Sequence, residues 1–302
     1  AIMDRIRDLA NNYISDVEAE LINNHQITRV EAQATFDALT GGQKGIIAIV
    51  GAAGLGKSCV LAQTLRLLSN AQMPFVVARL DVQTRARTSQ QFGEDLNLPE
   101  SPCLILEGIA QGSPSVLVLD QLDALSTVSG RNPHLWAAFG ELLREAAAYP
   151  NMRVLVACRA FDAEHDQRLR QLLEDKVRSQ RIPLNLLSVE QVKEAVAKAR
   201  VKADTLRTHQ LEILRTPQHL NLYLQSKPQE RGPFRDVKEL FDRYWETKQN
   251  QVREQAGRET RFTDVVRKLA VWLSNQQTLA APTDVLDEFH ADARVMASAH
   301  VL

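Results

Sequence analysis

The chain has 302 residues, of which 44% are hydrophobic and 24% charged; this excludes a disordered chain, a collagen-like repeat and a disulfide-dense miniprotein, and predicts about two domains. Lys plus Arg (36) nearly balances Asp plus Glu (37), for a net charge of -1, so the basic excess usual in nucleic-acid-binding domains is missing and nucleic acid is not an expected partner.

Residues 1–26 read as a polar N-terminal helix with Ile6, Leu9, Tyr13, Ile14 and Val17 on one stripe. A second helix is expected from about Arg29 to Leu39, stopping at Thr40-Gly41-Gly42. Gly45–Val50 is a continuous apolar run too short for a helix and reads as a strand buried on both faces, as in a parallel sheet. Helices and strands then alternate. A helix over 57–69 precedes a strand at Phe75–Leu80, and helices over 87–97 and 103–110 precede a strand at Val116–Leu119. An amphipathic helix over 134–148 leads to a strand at Val154–Ala157, with a weak fifth strand at Ile182–Leu186. This is the pattern of a doubly wound parallel α/β sheet. Beyond about 187 the strand signals stop. Ser188 and Gln191 have capping-box spacing and open a helix to about Arg200. Helices follow over 204–260, broken at Pro217 and Lys227-Pro228, then over 263–276, 284–289 and 292–299. The stripe Leu240, Tyr244 and Val252 reads as core, and Phe234 and Trp245 call for no cofactor.

Cys59, Cys103 and Cys158 are isolated from one another, which fits reduced thiols, and no Cys/His spacing suits a structural zinc. The first residues lack the apolar run of a secretory signal and no stretch approaches the ~20 apolar residues of a membrane span. A cytoplasmic protein with no membrane partner is expected.

Gly51-Ala52-Ala53-Gly54-Leu55-Gly56-Lys57-Ser58 fits G-x-x-x-x-G-K-[ST] in full, between a buried strand and a helix. Glycines there let the backbone approach phosphate oxygens, and successive N–H groups with the helix N-terminus face the anion. Lys57 is expected on the β- and γ-phosphates and the Ser58 hydroxyl on Mg²⁺, with Cys59 completing the phosphate-binding set. About 70 residues downstream, Ser115–Asp120 has the Walker B form: apolar residues ending in an aspartate at the strand's carboxyl edge. Asp120 is expected to hold Mg²⁺ through water. Gln121 stands where many P-loop ATPases have a glutamate, and an amide cannot accept a proton from water. Asp123 is then the nearest candidate base or water-positioning group, its alternative reading being a local helix cap. Arg159 follows the strand at Val154–Ala157; if that strand lies between the P-loop and Walker B strands, its guanidinium points at the γ-phosphate. The competing reading is an ion pair with Asp162 or Asp166.

With these motifs the chain, from about residue 27, resembles the bacterial STAND NTPases, signal-transduction ATPases related to the NACHT and NB-ARC proteins and, more distantly, to AAA+ enzymes. The resemblance implies a P-loop NTPase αβα domain over 27–187, a helical lid over 188–260 and the start of a winged helix over 261–302. It implies a sheet order with the Arg159 strand between the other two. Ile27-Thr28-Arg29-Val30-Glu31 is similar to the stretch lying against the base, which makes Arg29 a candidate nucleotide contact. Leu214–Leu220 looks like the lid's proline motif, with Pro217 touching the adenine. Ser129-Gly130-Arg131 matches a recurrent stretch after Walker B. The chain stops at Leu302, before the strand whose histidine meets the ADP β-phosphate in relatives, which suggests a piece of a longer protein with sensor and effector parts outside it. The implied function is an ATP/ADP- and Mg²⁺-dependent switch that self-associates with ATP, hydrolyses it slowly and belongs to signalling or antiviral defence. Three alternatives stand beside it: an AAA+-type remodelling or loading ATPase, a binding module with a purely structural P-loop, and a small-molecule kinase.

Overall fold

The structure, a computed structural model, describes residues 2–19, 27–41, 45–82, 86–128, 132–201, 203–276, 281–299 and 301. Two compact units divide the chain, Ala1–Leu186 and Leu187–Leu302. In chain order the first contains α1 (Ile2–Ala19), α2 (Val30–Gly41), β1 (Ile46–Gly51), α3 (Lys57–Asn70), β2 (Phe75–Arg79), α4 (Ser89–Asp95), α5 (Pro102–Ala110), β3 (Ser115–Asp120), α6 (Trp136–Ala148), β4 (Met152–Arg159), α7 (Ala160–His165), α8 (Gln167–Glu174) and β5 (Ser179–Pro183).

The five strands form one parallel sheet in the order β2-β3-β4-β1-β5. β4, which carries Arg159, lies between the P-loop strand β1 and the Walker B strand β3. The runs that looked continuously apolar are so because both faces are covered. Ile47, Ile49, Val77, Val116, Val118, Leu155 and Ala157 share a cluster with α2 and α3, and Ala48, Val76, Leu117, Leu119, Val154 and Val156 share another with α4, α5, α6 and α8. The period of two along each strand thus sorts its residues into two layers. α1 packs on β2, the edge strand, and on α3. Its Ile6 joins one layer while Ala10 and Tyr13 join the other, so it wraps a sheet edge that would otherwise present unpaired backbone.

Several expected boundaries shift. β5 begins at Ser179 and ends at Pro183, three residues before the expected start and end. Its first half is polar; Ser179 and Ile182, on opposite faces, are buried while Gln180 and Pro183 are exposed. The N-terminal helix is seen over Ile2–Ala19, and α2 runs on to Gly41; residues 20–26, Gly42 and the Ser129-Gly130-Arg131 stretch lie outside the described residues.

The second unit is helical: α9 (Val189–Lys198), α10 (Thr208–Leu214), α11 (Pro217–Gln225), α12 (Pro228–Arg231), α13 (Val237–Ala256), α14 (Phe262–Gln276) and α15 (His290–Ser298). Ser188 and Gln191 form the expected capping box on α9, with N–H to side-chain bonds of 2.9 and 3.1 Å. The expected breaks fall at Pro217 and at Pro228, each of which begins the next helix. Pro217 and Pro228 occupy first-turn positions of α11 and α12, where a missing N–H costs nothing. Leu240 and Val252 are fully buried, Tyr244 is partly so, and Trp245 is 41% exposed against Tyr244 and Phe262. Residues 283–289 form a 3-10 turn rather than an α-helix.

Candidate nucleotide and metal site

All strands point the same way, so the ends of β1, β2, β3 and β4 bring their last residues to one edge. The register sets Gly51 opposite Arg159 and Arg79 opposite Asp120. The chain leaves β1 toward the β2 edge and leaves β4 toward the β5 edge. The crevice of this sheet therefore opens between neighbours β1 and β4, where such folds take ligands.

Residues 51–56 make the turn between β1 and α3. Gly54 and Gly56 hold φ of 77° and 80°, conformations that cost an L side chain energy. Gly56 is the N-cap of α3 and makes no side-chain cap. The first N–H groups of that fourteen-residue helix are thus left for an anion. Lys57 folds over the loop, its Nζ donating to Gly51 O at 3.0 Å and Ala52 O at 3.1 Å. Burial lowers its ammonium pKa, and Asp123 works against that.

Ser58, on the first turn of α3, donates to Asp120 Oδ2 at 3.0 Å. Asp120 is buried at the end of β3. Its other oxygen accepts the Gln121 N–H at 2.7 Å, a bond that goes with a left-handed Gln121 (φ 60°). Burial drives the Asp120 pKa up; the bonds from Tyr13, Gln121 and Ser58 hold it back. Hydroxyl and carboxylate border a cleft with Arg79, Gln121, Tyr13 and Asp16. An all-oxygen pair, one member anionic and both beside the phosphate loop, fits a hard cation such as Mg²⁺ and no soft one. Among the described residues no group of three or more His, Cys, Asp or Glu is placed to hold a metal.

Arg159 pairs with neither expected aspartate. Its Nε lies 3.0 Å from Asp123 Oδ2. Asp166 instead caps α8 through the N–H groups of Arg168 and Leu169 and accepts two bonds from Thr127. Asp123 has no exposed surface and sits inside a 3-10 turn (Leu122–Leu125) whose N-cap is Gln121, so it is not a cap. It stands between the loop lysine and the β4 arginine. Cys158 is fully buried and burial raises its thiol pKa, as for an inert core cysteine. Cys59 is half-buried on α3.

Arg29 is placed differently from a ligand contact. Its Nε and Nη2 pair with Glu31 at 3.1 and 3.0 Å, Nη1 donates to Leu55 O at 3.2 Å and Nη2 to Asn185 O at 2.7 Å. Only 6% of it is exposed. Its guanidinium braces the P-loop from below, against the segment after β5. Gln63 fastens the same stretch to α3 through Arg29 N–H and Ile27 O. Pro217 lies in the second unit, half-buried at the start of α11.

Sequence reading missed Tyr13. Its hydroxyl donates to Asp120 Oδ2 at 2.7 Å from a residue 107 positions away. The available signal was its place on the α1 stripe, which marks core and nothing more.

A five-stranded parallel sheet with the Walker lysine, serine, aspartate and arginine at one edge defines a P-loop NTPase. The sequence model of the family described as Novel STAND NTPase 1 matches residues 27–216, more than half of the chain, and the chain belongs to that family. No curated protein matches it. Among solved structures it is similar in fold to a Walker-type ATPase of Pyrococcus abyssi (14% identity, covering 89% of each chain, TM-score 0.47). It is likewise similar to AMPPCP-bound DnaA from Aquifex aeolicus (14%, covering 92% of this chain and 90% of that one, TM-score 0.43) and to the Aeropyrum pernix Orc1 protein in complex with DNA (12%, 93% and 85%, TM-score 0.49). Among the described residues no helix is long and apolar enough to cross a membrane.

Proposed function

We propose that the chain is a nucleotide-operated switch for signalling, which holds ADP at rest and self-associates when ATP replaces it. The observation that carries this reading is Arg159, held by Asp123 on the strand between the P-loop and Asp120. A cation in that place distinguishes a γ-phosphate from its absence through charge-assisted bonds. A ligand shifts an equilibrium only by binding its two states differently. In this reading the N–H groups of 52–58 bind the β-phosphate, Lys57 leaves the loop carbonyls for phosphate oxygens, and Ser58 and Asp120 hold Mg²⁺. Bound Mg²⁺ supplies charge neutralisation to the phosphates. The helical unit serves as the lid, with Pro217 as its adenine contact and residues 261–302 as the beginning of a winged helix.

Hydrolysis is slow in this proposal. Gln121 orients water but takes no proton, and the Asp123 carboxylate is engaged with Arg159. A timer tolerates a low rate where a remodelling motor does not. The family resemblance extends the reading to a cytoplasmic role in defence.

Two measurements test it. Mass photometry with ATP·Mg²⁺ and with ADP is expected to give larger assemblies in ATP only; equal distributions would remove the switch, and many turnovers per second stimulated by DNA would favour the AAA+-type loader. Arg159→Ala is expected to weaken ATP about 10-fold or more while leaving ADP nearly unchanged, as loss of one charge-assisted contact to the γ-phosphate requires. Titration of both nucleotides against the variant checks it.

A further inference from the structure

α1 lies outside the stretch that matches the family, which starts at residue 27. Yet it reaches the centre of the site. Tyr13 is 6% exposed, in the layer with α2 and α3, and its hydroxyl donates to Asp120 Oδ2 at 2.7 Å. Three donors fix that carboxylate: the Gln121 N–H on Oδ1, and Ser58 and Tyr13 together on Oδ2. They differ in kind. Gln121 is the next residue and comes with the turn. Ser58 is the hydroxyl whose oxygen the metal would take. Tyr13 alone is a long-range donor that no phosphate or metal chemistry claims.

We infer that Tyr13 is a positioning residue of the magnesium site and that α1, which precedes the stretch matched to the family, completes that site. The inference rests on the reading of Ser58 and Asp120 as metal-holding groups. A carboxylate buried at a strand end has rotamers to choose from, and a wrong one turns its free lone pairs away from the cleft. The phenol holds Oδ2 toward Ser58, so the oxygen pair is assembled before a cation arrives. Partners that orient metal-binding groups in this way are typically worth 10–100-fold in metal affinity or activity. The rest of α1 makes the phenol a rigid anchor. Ile6 and Ala10 are buried, Arg5 Nε donates to Leu96 O at 2.8 Å, and Glu18 pairs with Arg66 on α3. Tyr13, Asp16 and Val17 line the cleft together with Ser58 and Asp120.

The test separates metal from phosphate. Affinity for a fluorescent ATP analogue is measured with excess Mg²⁺ and with EDTA, in wild type and in Tyr13→Phe. The phenylalanine keeps the ring packing and deletes one hydroxyl, and a thermal melt without nucleotide verifies the fold. EDTA affinity is expected to stay within about 2-fold, because the phosphate loop is untouched. The gain conferred by Mg²⁺ is expected to fall about 10-fold or more. Glu18→Ala, which loosens α1 from Arg66 and leaves the hydroxyl in place, is expected to keep the full gain. An unchanged Mg²⁺ gain in Tyr13→Phe overturns the inference. So does an increased gain, which would make the hydroxyl a competitor of metal-bound water, or an equal loss in Glu18→Ala, which would reduce α1 to general support. A wild type whose affinity Mg²⁺ does not raise overturns instead the underlying assignment of Ser58 and Asp120.

Discussion

Lys57→Ala is expected to weaken both nucleotides, ATP by about 10- to 100-fold and ADP by somewhat less, the effect of removing charge-assisted bonds to an anion. Both lose the contact to the β-phosphate that they share, and ATP loses the contact to its γ-phosphate as well. The ammonium has two backbone acceptors within reach, Gly51 O and Ala52 O. Burial also disfavours the charged group, with Asp123 as the main opposing influence. Its replacement by a methyl group thus removes a desolvated charge, and folding stability is expected to change less than affinity does. Isothermal titration of wild type and variant with each nucleotide checks this. Unchanged affinity would make the P-loop a structural turn, the binding-module alternative.

Chemistry carried by contiguous residues was legible, and chemistry assembled across the fold was not. β1 and β3 are short apolar runs with their functional residue at the carboxyl end, so strand, turn and ligand group are read in one stretch. The same holds for Arg159 at the end of β4. The alternative partners offered for Arg159, Asp162 and Asp166, are near it in sequence, while Asp123, which it pairs with, is near it in space. Parallel pairing of β3 with β4 sets the residues after Asp120 beside the end of β4. β5 starts earlier than the apolar run suggests because polar Ser179, Gln180 and Arg181 form its first half. Tyr13 illustrates the general limit. An apolar stripe predicts which face of α1 is buried, yet it does not say that one ring on that face ends in a hydroxyl aimed at a carboxylate.

The Arg29–Glu31 pair gives the largest expected effect on stability. Both side chains are buried, and the guanidinium spends its donors on Glu31, Leu55 O and Asn185 O. Burial alone would raise the Glu31 pKa, but the bonds from Arg29 and from Asn185 N–H outweigh it and bring it down to about 2 from 4.5. A carboxyl whose folded pKa is depressed stabilises the fold above its unfolded pKa and loses that contribution as protons bind. The stabilisation is thus complete above pH 4.5 and disappears as pH falls through about 2. Its size is about 3 kcal/mol. Glu31→Gln leaves the arginine buried without its anion and is expected to cost about 3–5 kcal/mol at pH 7. Urea unfolding of both chains from pH 7 to pH 2 checks it. The wild type is expected to lose stability more steeply below pH 4.5, so the gap between the two narrows in acid. Because Arg29 also holds the Leu55 carbonyl of the P-loop, nucleotide affinity is expected to fall along with stability.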